Sequence, residues 1–369
     1  MFKTLSKTLL TVPNVAKYQT IAIKRKANQS DYIDTIRNIG SIVHASRTHS
    51  SGLVATVFGV TGFTGRYIVQ LLTKSGIQVV VPYRGEDYSF RDLKVLGELG
   101  QIIPVRYDIR DQDSIERAMS HSNIVINMIS RNYETRNFSF EDVNIDAATK
   151  IAKLSKSLDI EKYVHVSALN ASEESASKWS RTKAVGEKAV KEILPNCTIV
   201  RPSIMFGDED RLINKWSRVV AFSPFIPRYN EDLKFQPLHC VDFANAMMSI
   251  LELQSAAGKT YELGGDEIFA WGQFLDMITE ATVQQDKRNI PVSFEAMRFA
   301  TKFLEYMRDP VFLADELEYL NQDLLVSADA LTLKDLKIKP TPIQEKLIRL
   351  SRMFRPSRYF NAIANPQNK

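Results

Sequence analysis

Leu53-Val54-Ala55-Thr56-Val57-Phe58-Gly59-Val60-Thr61-Gly62-Phe63-Thr64-Gly65-Arg66-Tyr67-Ile68-Val69-Gln70-Leu71-Leu72 is the stretch on which the fold turns. It opens on a continuous run of β-formers and closes on apolar positions at helical spacing. Between the two lie Gly59, Gly62 and Gly65, so the order is strand, glycine turn, helix. In that context the three glycines have separate uses. Gly59 permits a tight turn, Gly62 leaves room for a pyrophosphate where a Cβ would stand, and Gly65 lets the helix pack closely. The helix start offers free N–H groups and a positive dipole end to phosphate. The spacing is G-x-x-G-x-x-G, which departs from the plain G-x-G-x-x-G of dinucleotide turns. An ordinary structural turn is the alternative.

Outward from this turn, strands and helices alternate. Residues 77–82, 101–105, 123–129, 163–166 and 198–200 read as further strands, with helices over 113–119, 141–158 and 178–194. The apolar runs are continuous, as in strands covered on both faces. The expected fold is α/β, a doubly wound parallel sheet over residues 52–205. Beyond Arg201 the pattern loosens, with prolines at Pro224, Pro227 and Pro237. Residues 206–332 are expected to form a smaller C-terminal lobe that adds strands back to the sheet. Helical segments fall around 242–253, 271–282, 294–306 and 310–320.

Residues 333–369 are expected to carry a basic amphipathic helix and a tail. Thr341-Pro342-Ile343-Gln344 fits a capping box with proline at the first helical position. Ile343, Leu347, Leu350 and Phe354 then share one face, and Lys346, Arg349, Arg352 and Arg355 another. Such a helix either packs on its own domain or docks on a partner or an anionic membrane surface.

The other end differs again. Residues 1–30 hold six basic residues and no acid, with Ser, Thr and scattered leucines. This reads as a mitochondrial transit peptide, with a disordered basic tail as the alternative. Leader and linker together are expected over residues 1–45. Without residues 1–30 the formal charge falls from +5 to −1. Residues 333–369 carry a local +7, which leaves −8 over 31–332. The body is therefore not basic, and no nucleic-acid footprint is visible. No apolar run reaches the length of a membrane-spanning helix. Cys197 and Cys240 are too few for a disulfide framework or a cysteine zinc site. The five histidines show no metal-ligand spacing, so no metal is expected.

An NAD site usually carries an acid at the end of strand two, for the ribose 2′-OH. Here that strand ends in Pro82-Tyr83-Arg84-Gly85. A guanidinium suits a 2′-phosphate, so NADP(H) is favoured, unless Arg84 is a solvated loop residue. Asp108 follows strand three. It either accepts from an adenine amino group or serves as a helix N-terminal acid.

These features resemble the extended and atypical short-chain dehydrogenase/reductases. In that family a serine after strand five and a Tyr-x-x-x-Lys on the next helix do the chemistry. A spacing of four places both side chains on one helix face. Ser167 fits the serine and Lys183 the lysine, but Trp179 stands in the tyrosine position. An indole N–H cannot cycle a proton near neutral pH. None of the thirteen tyrosines is followed by lysine at the fourth place. Hydride transfer with a tyrosine acid/base is therefore not expected, and no catalytic residue is assigned.

The resemblance narrows on several motifs. They include Val54-Ala55-Thr56-Val57-Phe58-Gly59, Pro82-Tyr83-Arg84, Glu134-Thr135-Arg136-Asn137-Phe138, Phe140-Glu141-Asp142-Val143, Lys183-Ala184-Val185-Gly186-Glu187-Lys188 and Phe206-Gly207-Asp208-Glu209-Asp210-Arg211. Over residues 52–212 the chain resembles the NADPH-binding, Rossmann-fold accessory subunits of mitochondrial respiratory complex I. Members often keep the tyrosine that this chain lacks. The resemblance implies a matrix-side subunit at the inner membrane, contacting other complex I subunits, with tightly held NADPH and no turnover of its own. It also implies the cofactor contacts: Gly59, Thr61, Gly62, Phe63, Thr64, Gly65, Arg84, Asp108, Ile109, Met128, Ile129, Ser167, Lys183, Pro202 and Ile204. Two other readings compete. One is a free mitochondrial NADP(H)-dependent reductase or epimerase that uses Tyr133 or His165 as its acid, although His165 sits in a strand-like run that suits a core histidine. The other is a regulator that senses NADP(H).

Overall fold

The computed structural model describes residues 51–304 and 313–356. The leader and linker expected over 1–45 lie outside the described residues, as do the tail beyond 356 and the middle of the 294–320 stretch.

The chain begins with β1 (Val54–Phe58), α1 (Gly65–Lys74), β2 (Gln78–Tyr83), β3 (Ile102–Arg106), α2 (Gln112–Met119) and β4 (Ile124–Asn127). It continues with α3 (Ala147–Ser157), β5 (Lys162–Val166), α4 (Lys178–Ile193) and β6 (Thr198–Pro202). Next come α5 (Ile213–Phe222), α6 (Cys240–Glu252) and β7 (Thr260–Leu263). The last helices are α7 (Trp271–Ala281), α8 (Phe294–Leu304), α9 (Ala314–Leu320) and α10 (Ile343–Ser351).

The seven strands form one sheet in the order β7-β6-β5-β4-β1-β2-β3. Every pairing in it is parallel. The chain winds outward from β1 to β3, returns to β4 beside β1, and winds out the other way. The point of reversal, between β1 and β4, is where such sheets open a crevice at their C-terminal ends. The continuous apolar runs are explained by burial on both faces: Ala55, Val57, Val79, Val81, Val125, Ile126, Ile199 and Val200 are fully covered.

Helix α3 is preceded by a π turn over Asp142–Asp146. The sequence reads as one helix from 141 to 158, and the extra residue per turn is a tertiary effect. Asn144 in that turn is buried and donates its side-chain N–H to Thr182 Oγ1 of α4 at 2.9 Å.

The C-terminal part does not stand aside from the sheet. β7 extends it beyond β6, and α6 packs on α1. A second apolar core joins Phe206, Trp216, Phe235, Trp271, Phe274 and Leu317 to Ile343, Leu347 and Leu350 of α10. The apolar face of α10 is thus buried in its own domain, against α5 and α7.

Two expectations for this last helix are corrected. The capping box does not form: Pro342 is the N-cap and Ile343 the first helical residue. Thr341 instead donates its N–H (2.6 Å) and its hydroxyl (3.2 Å) to the buried carboxylate of Asp242. A buried carboxylate left short of donors costs more than a helix cap returns. Nor does Arg355 share the outward basic face. Helix α10 gives way to a 3₁₀ turn over Arg352–Phe354, which changes the angular step. Arg355 is turned inward and donates its Nε–H to Ala281 O at 2.7 Å. Among the described residues no helix is long and apolar enough to cross a membrane.

Candidate dinucleotide site

A cavity of about 450 Å³ opens along the C-terminal ends of the strands. The glycine turn after β1 forms its floor. Gly59 has φ +81°, and a Cβ there would stand 2.7 Å from Met128 O, so only glycine lets β1 turn against the end of β4. The N–H of Gly62 donates to Gly59 O at 3.1 Å and closes the turn. A Cβ on Gly62 would meet only Gly59 O, at 3.3 Å. Thr64 then caps α1 without a side-chain hydrogen bond.

The rest of the lining comes from each strand end in turn. Pro82 lies near the end of β2 and Arg84 just beyond it, Tyr107 follows β3, and Met128, Ile129, Ser130 and Asn132 follow β4. Val166, Ser167 and Ala168 close β5, and Pro202, Ser203, Ile204 and Met205 close β6. Trp179 and Lys183 enter from α4. The C-terminal part adds Arg211, Leu212, Trp216, Asp315, Glu316, Tyr319 and Leu320.

Of the residues expected to meet a cofactor, all but Gly65, Asp108 and Ile109 line this cavity. Gly65 is buried, and a Cβ on it would collide with the Val60 backbone, so its closeness is to its own turn. Ile109 is core. Asp108 is exposed, and its carboxylate accepts the Arg110 N–H at 2.9 Å. It is not the helix cap either: Asp111 caps α2 by accepting the N–H of Asp113 at 3.2 Å.

Three polar side chains of the cavity wall are buried: Ser167, Lys183 and Ser203. Lys183 donates from Nζ to Val166 O at 3.2 Å and to Ile129 O at 3.4 Å. Burial pushes its ammonium down to about 8. Among the described residues the buried hydroxyls of Ser167 and Ser203 have no hydrogen-bond partner. An unsatisfied buried hydroxyl costs about 1–3 kcal/mol, so two on one wall fit a polar ligand. Together with the glycine floor and the helix start, this donor set suits a dinucleotide.

Trp179 donates its indole N–H to Ser130 Oγ at 3.2 Å and meets the Tyr319 ring edge-on at 5.0 Å. Its backbone is held by Asp315, whose carboxylate accepts the Ser177 hydroxyl (2.8 Å) and the N–H groups of Lys178 (2.6 Å) and Trp179 (3.0 Å). Both tyrosines on the wall are poor acids, because burial raises the Tyr107 and Tyr319 phenols. His165 lies outside the cavity lining. Burial, with the Lys183 charge as a lesser cause, pushes it down to about 3, so it stays neutral. Tyr133 does not line the cavity, and the Arg131 guanidinium lies 5.1 Å from its ring.

Sequence reasoning missed Ser130 and Asn132, which extending the strand-four motif by a few residues would have found. It also missed Trp216, Asp315 and Tyr319, for which no local signal exists.

Fold and site together define a Rossmann-type, short-chain dehydrogenase-like protein. A model of the NAD dependent epimerase/dehydratase family matches residues 55–264. The chain is 64% identical over 330 residues to NADH dehydrogenase [ubiquinone] 1 alpha subcomplex subunit 9, mitochondrial, of Dictyostelium discoideum, spanning 89% of this chain and 92% of that one. It is 42% identical over 306 residues to the Arabidopsis thaliana protein of the same name, spanning 80% of this chain and 76% of that one. The chain belongs to the family of these subunit 9 proteins, within the epimerase/dehydratase fold family. Among solved structures, an NADPH-dependent quinone oxidoreductase of Escherichia coli complexed with NADPH superposes with a TM-score of 0.63 at 18% identity, covering 81% of this chain and 99% of that one. At that identity the likeness shows the fold alone.

Proposed function

We propose that this chain is a non-catalytic accessory subunit of mitochondrial NADH:ubiquinone oxidoreductase, on the matrix side of the inner membrane, with NADPH held as a structural ligand. The observation that carries this reading is Trp179. Ser167 and Lys183 remain in the cavity, but the position between them in role holds an indole already engaged with Ser130.

The residues that would hold the cofactor are the glycine turn from Gly59 to Thr64, Arg84 at the end of β2, and Met128, Ile129, Ser167, Lys183, Pro202 and Ile204 along the crevice. Bound NADPH supplies a hydride donor. Among the described residues no tyrosine stands at the acid/base position beside it, where Trp179 is found instead. Ser167 and Ser203 offer hydroxyls that lack partners, and Lys183 offers a buried ammonium. Such a ligand stabilises the folded subunit by mass action, about 2.7 kcal/mol at a hundredfold excess over its dissociation constant.

The names of the relatives support a place among other complex I subunits. In α10 the apolar face is buried, so contact with a partner or an anionic membrane surface falls to Lys346 and Arg349 on the helix and to Arg352 in the 3₁₀ turn after it. Nucleotide extracted from the native complex tests the reading. NADPH in one-to-one ratio with this chain is expected. NAD, or no nucleotide, overturns the cofactor assignment, and migration as a free monomer overturns the subunit assignment.

A further inference from the structure

Two guanidiniums crowd one aromatic ring, one of them that of Arg84 from the cavity lining, and the dinucleotide reading uses only that one. The Cζ of Arg84 lies 5.5 Å from the centroid of the Phe138 ring. The Cζ of Arg110 lies 4.5 Å from the same centroid. Strands β2 and β3 are neighbours, with Tyr83 opposite Arg106, so the chain segments that follow them leave the sheet side by side. Arg110 is fixed in place by a hydrogen bond from its guanidinium to Asn137 O. Both arginines are exposed, and among the described residues neither is ion-paired with a carboxylate. Asp142 feels the Arg110 charge without pairing with it: bonds from Ser139 chiefly hold its carboxyl low, and the Arg110 charge contributes less.

Two like charges held against one ring repel each other, and an anion between them turns that repulsion into attraction. A phosphate monoester, with its three acceptor oxygens and double charge, can engage both planar forks at once. We propose that Arg110 and Arg84 form a two-arginine clamp for the 2′-phosphate of NADP(H), with Phe138 as the platform that holds both guanidiniums. The inference rests on the dinucleotide reading of the cavity and adds to it the residue that completes the choice of cofactor.

The test uses the full chain freed of nucleotide, titrated with NADPH, NADH, 2′,5′-ADP and 5′-AMP. Arg110→Gln is expected to weaken NADPH and 2′,5′-ADP roughly tenfold and to leave NADH and 5′-AMP unchanged. Equal loss for all four ligands means that Arg110 only braces the Asn137 loop, and overturns the clamp. So does an unchanged preference in Arg110→Gln when Arg84→Gln abolishes it, a result that leaves the dinucleotide reading standing. Failure of the unaltered chain to bind either dinucleotide overturns the reading of the cavity itself. If Arg110→Gln does not fold, Phe138→Leu replaces it, and a selective loss of NADPH over NADH is again the expected result.

Discussion

The indole N–H of Trp179 donates to Ser130 Oγ at 3.2 Å, across the mouth of the same cavity that holds Lys183. The bond ties α4 to the loop after β4, and it occupies the place where an acid would meet a carbonyl. Trp179→Tyr would restore the Tyr-x-x-x-Lys spacing. The expected outcome is a slow, aldehyde-dependent loss of NADPH absorbance that the unaltered chain does not show. Unchanged inertness in a folded, NADPH-bound Trp179→Tyr protein would mean that more than this one side chain separates the site from catalysis.

The buried ammonium of Lys183 makes stability depend on pH. Its pKa is about 8 in the folded chain, against 10.5 when exposed. Between those values the unfolded chain binds more protons, so unfolding becomes harder as pH rises. For the nucleotide-free protein the gain from pH 8 towards 10 is on the order of 1–3 kcal/mol. Lys162, Lys215 and Lys287 are lowered too and act in the same direction, so the difference from Lys183→Met isolates the effect. Urea unfolding of both proteins across that window is the measurement. Parallel curves would show that Lys183 is not buried in its charged form.

Asp315 caps α4 from a different part of the chain. Its carboxylate takes three donors at the helix start, among them the N–H of Trp179 itself. Asp315→Ala should cost about 1–2 kcal/mol, as for loss of a strong helix cap, and should loosen the Trp179 wall. Denaturant midpoints report the first effect. A fall in NADPH affinity larger than that of a distant cap mutant with equal loss of stability reports the second.

What was legible in the sequence was local and periodic. The strand runs and the glycine turn are each written within a few residues, and the Ser167–Trp179–Lys183 set within one strand-to-helix unit. Failures came where distant chain competes. Thr341 reads as a cap only until the buried carboxylate of Asp242, 99 residues away, claims its donors. Asp315 has no signature because its partners lie more than 130 residues earlier. The π turn before α3 is invisible for the same reason, since Asn144 adopts it to reach Thr182.

Gly186, one turn beyond Lys183, sets how closely α4 lies against the π turn. A Cβ at this position would fall inside contact with Asn144 O and 3.1 Å from its carbonyl carbon. Two effects oppose each other in Gly186→Ala. Alanine favours a helix by about 1 kcal/mol over glycine, which alone predicts a more stable protein. Overpacking a close contact costs about 1–3 kcal/mol, and here the obstacle is backbone, which cannot swing aside as a side chain can. The second effect should win, with a net loss of about 1 kcal/mol or more in urea unfolding. Pushing α4 outward also draws Lys183 away from Val166 O, so NADPH should bind more weakly. A stabilised Gly186→Ala protein would show that α4 and the π turn part more easily than this contact implies.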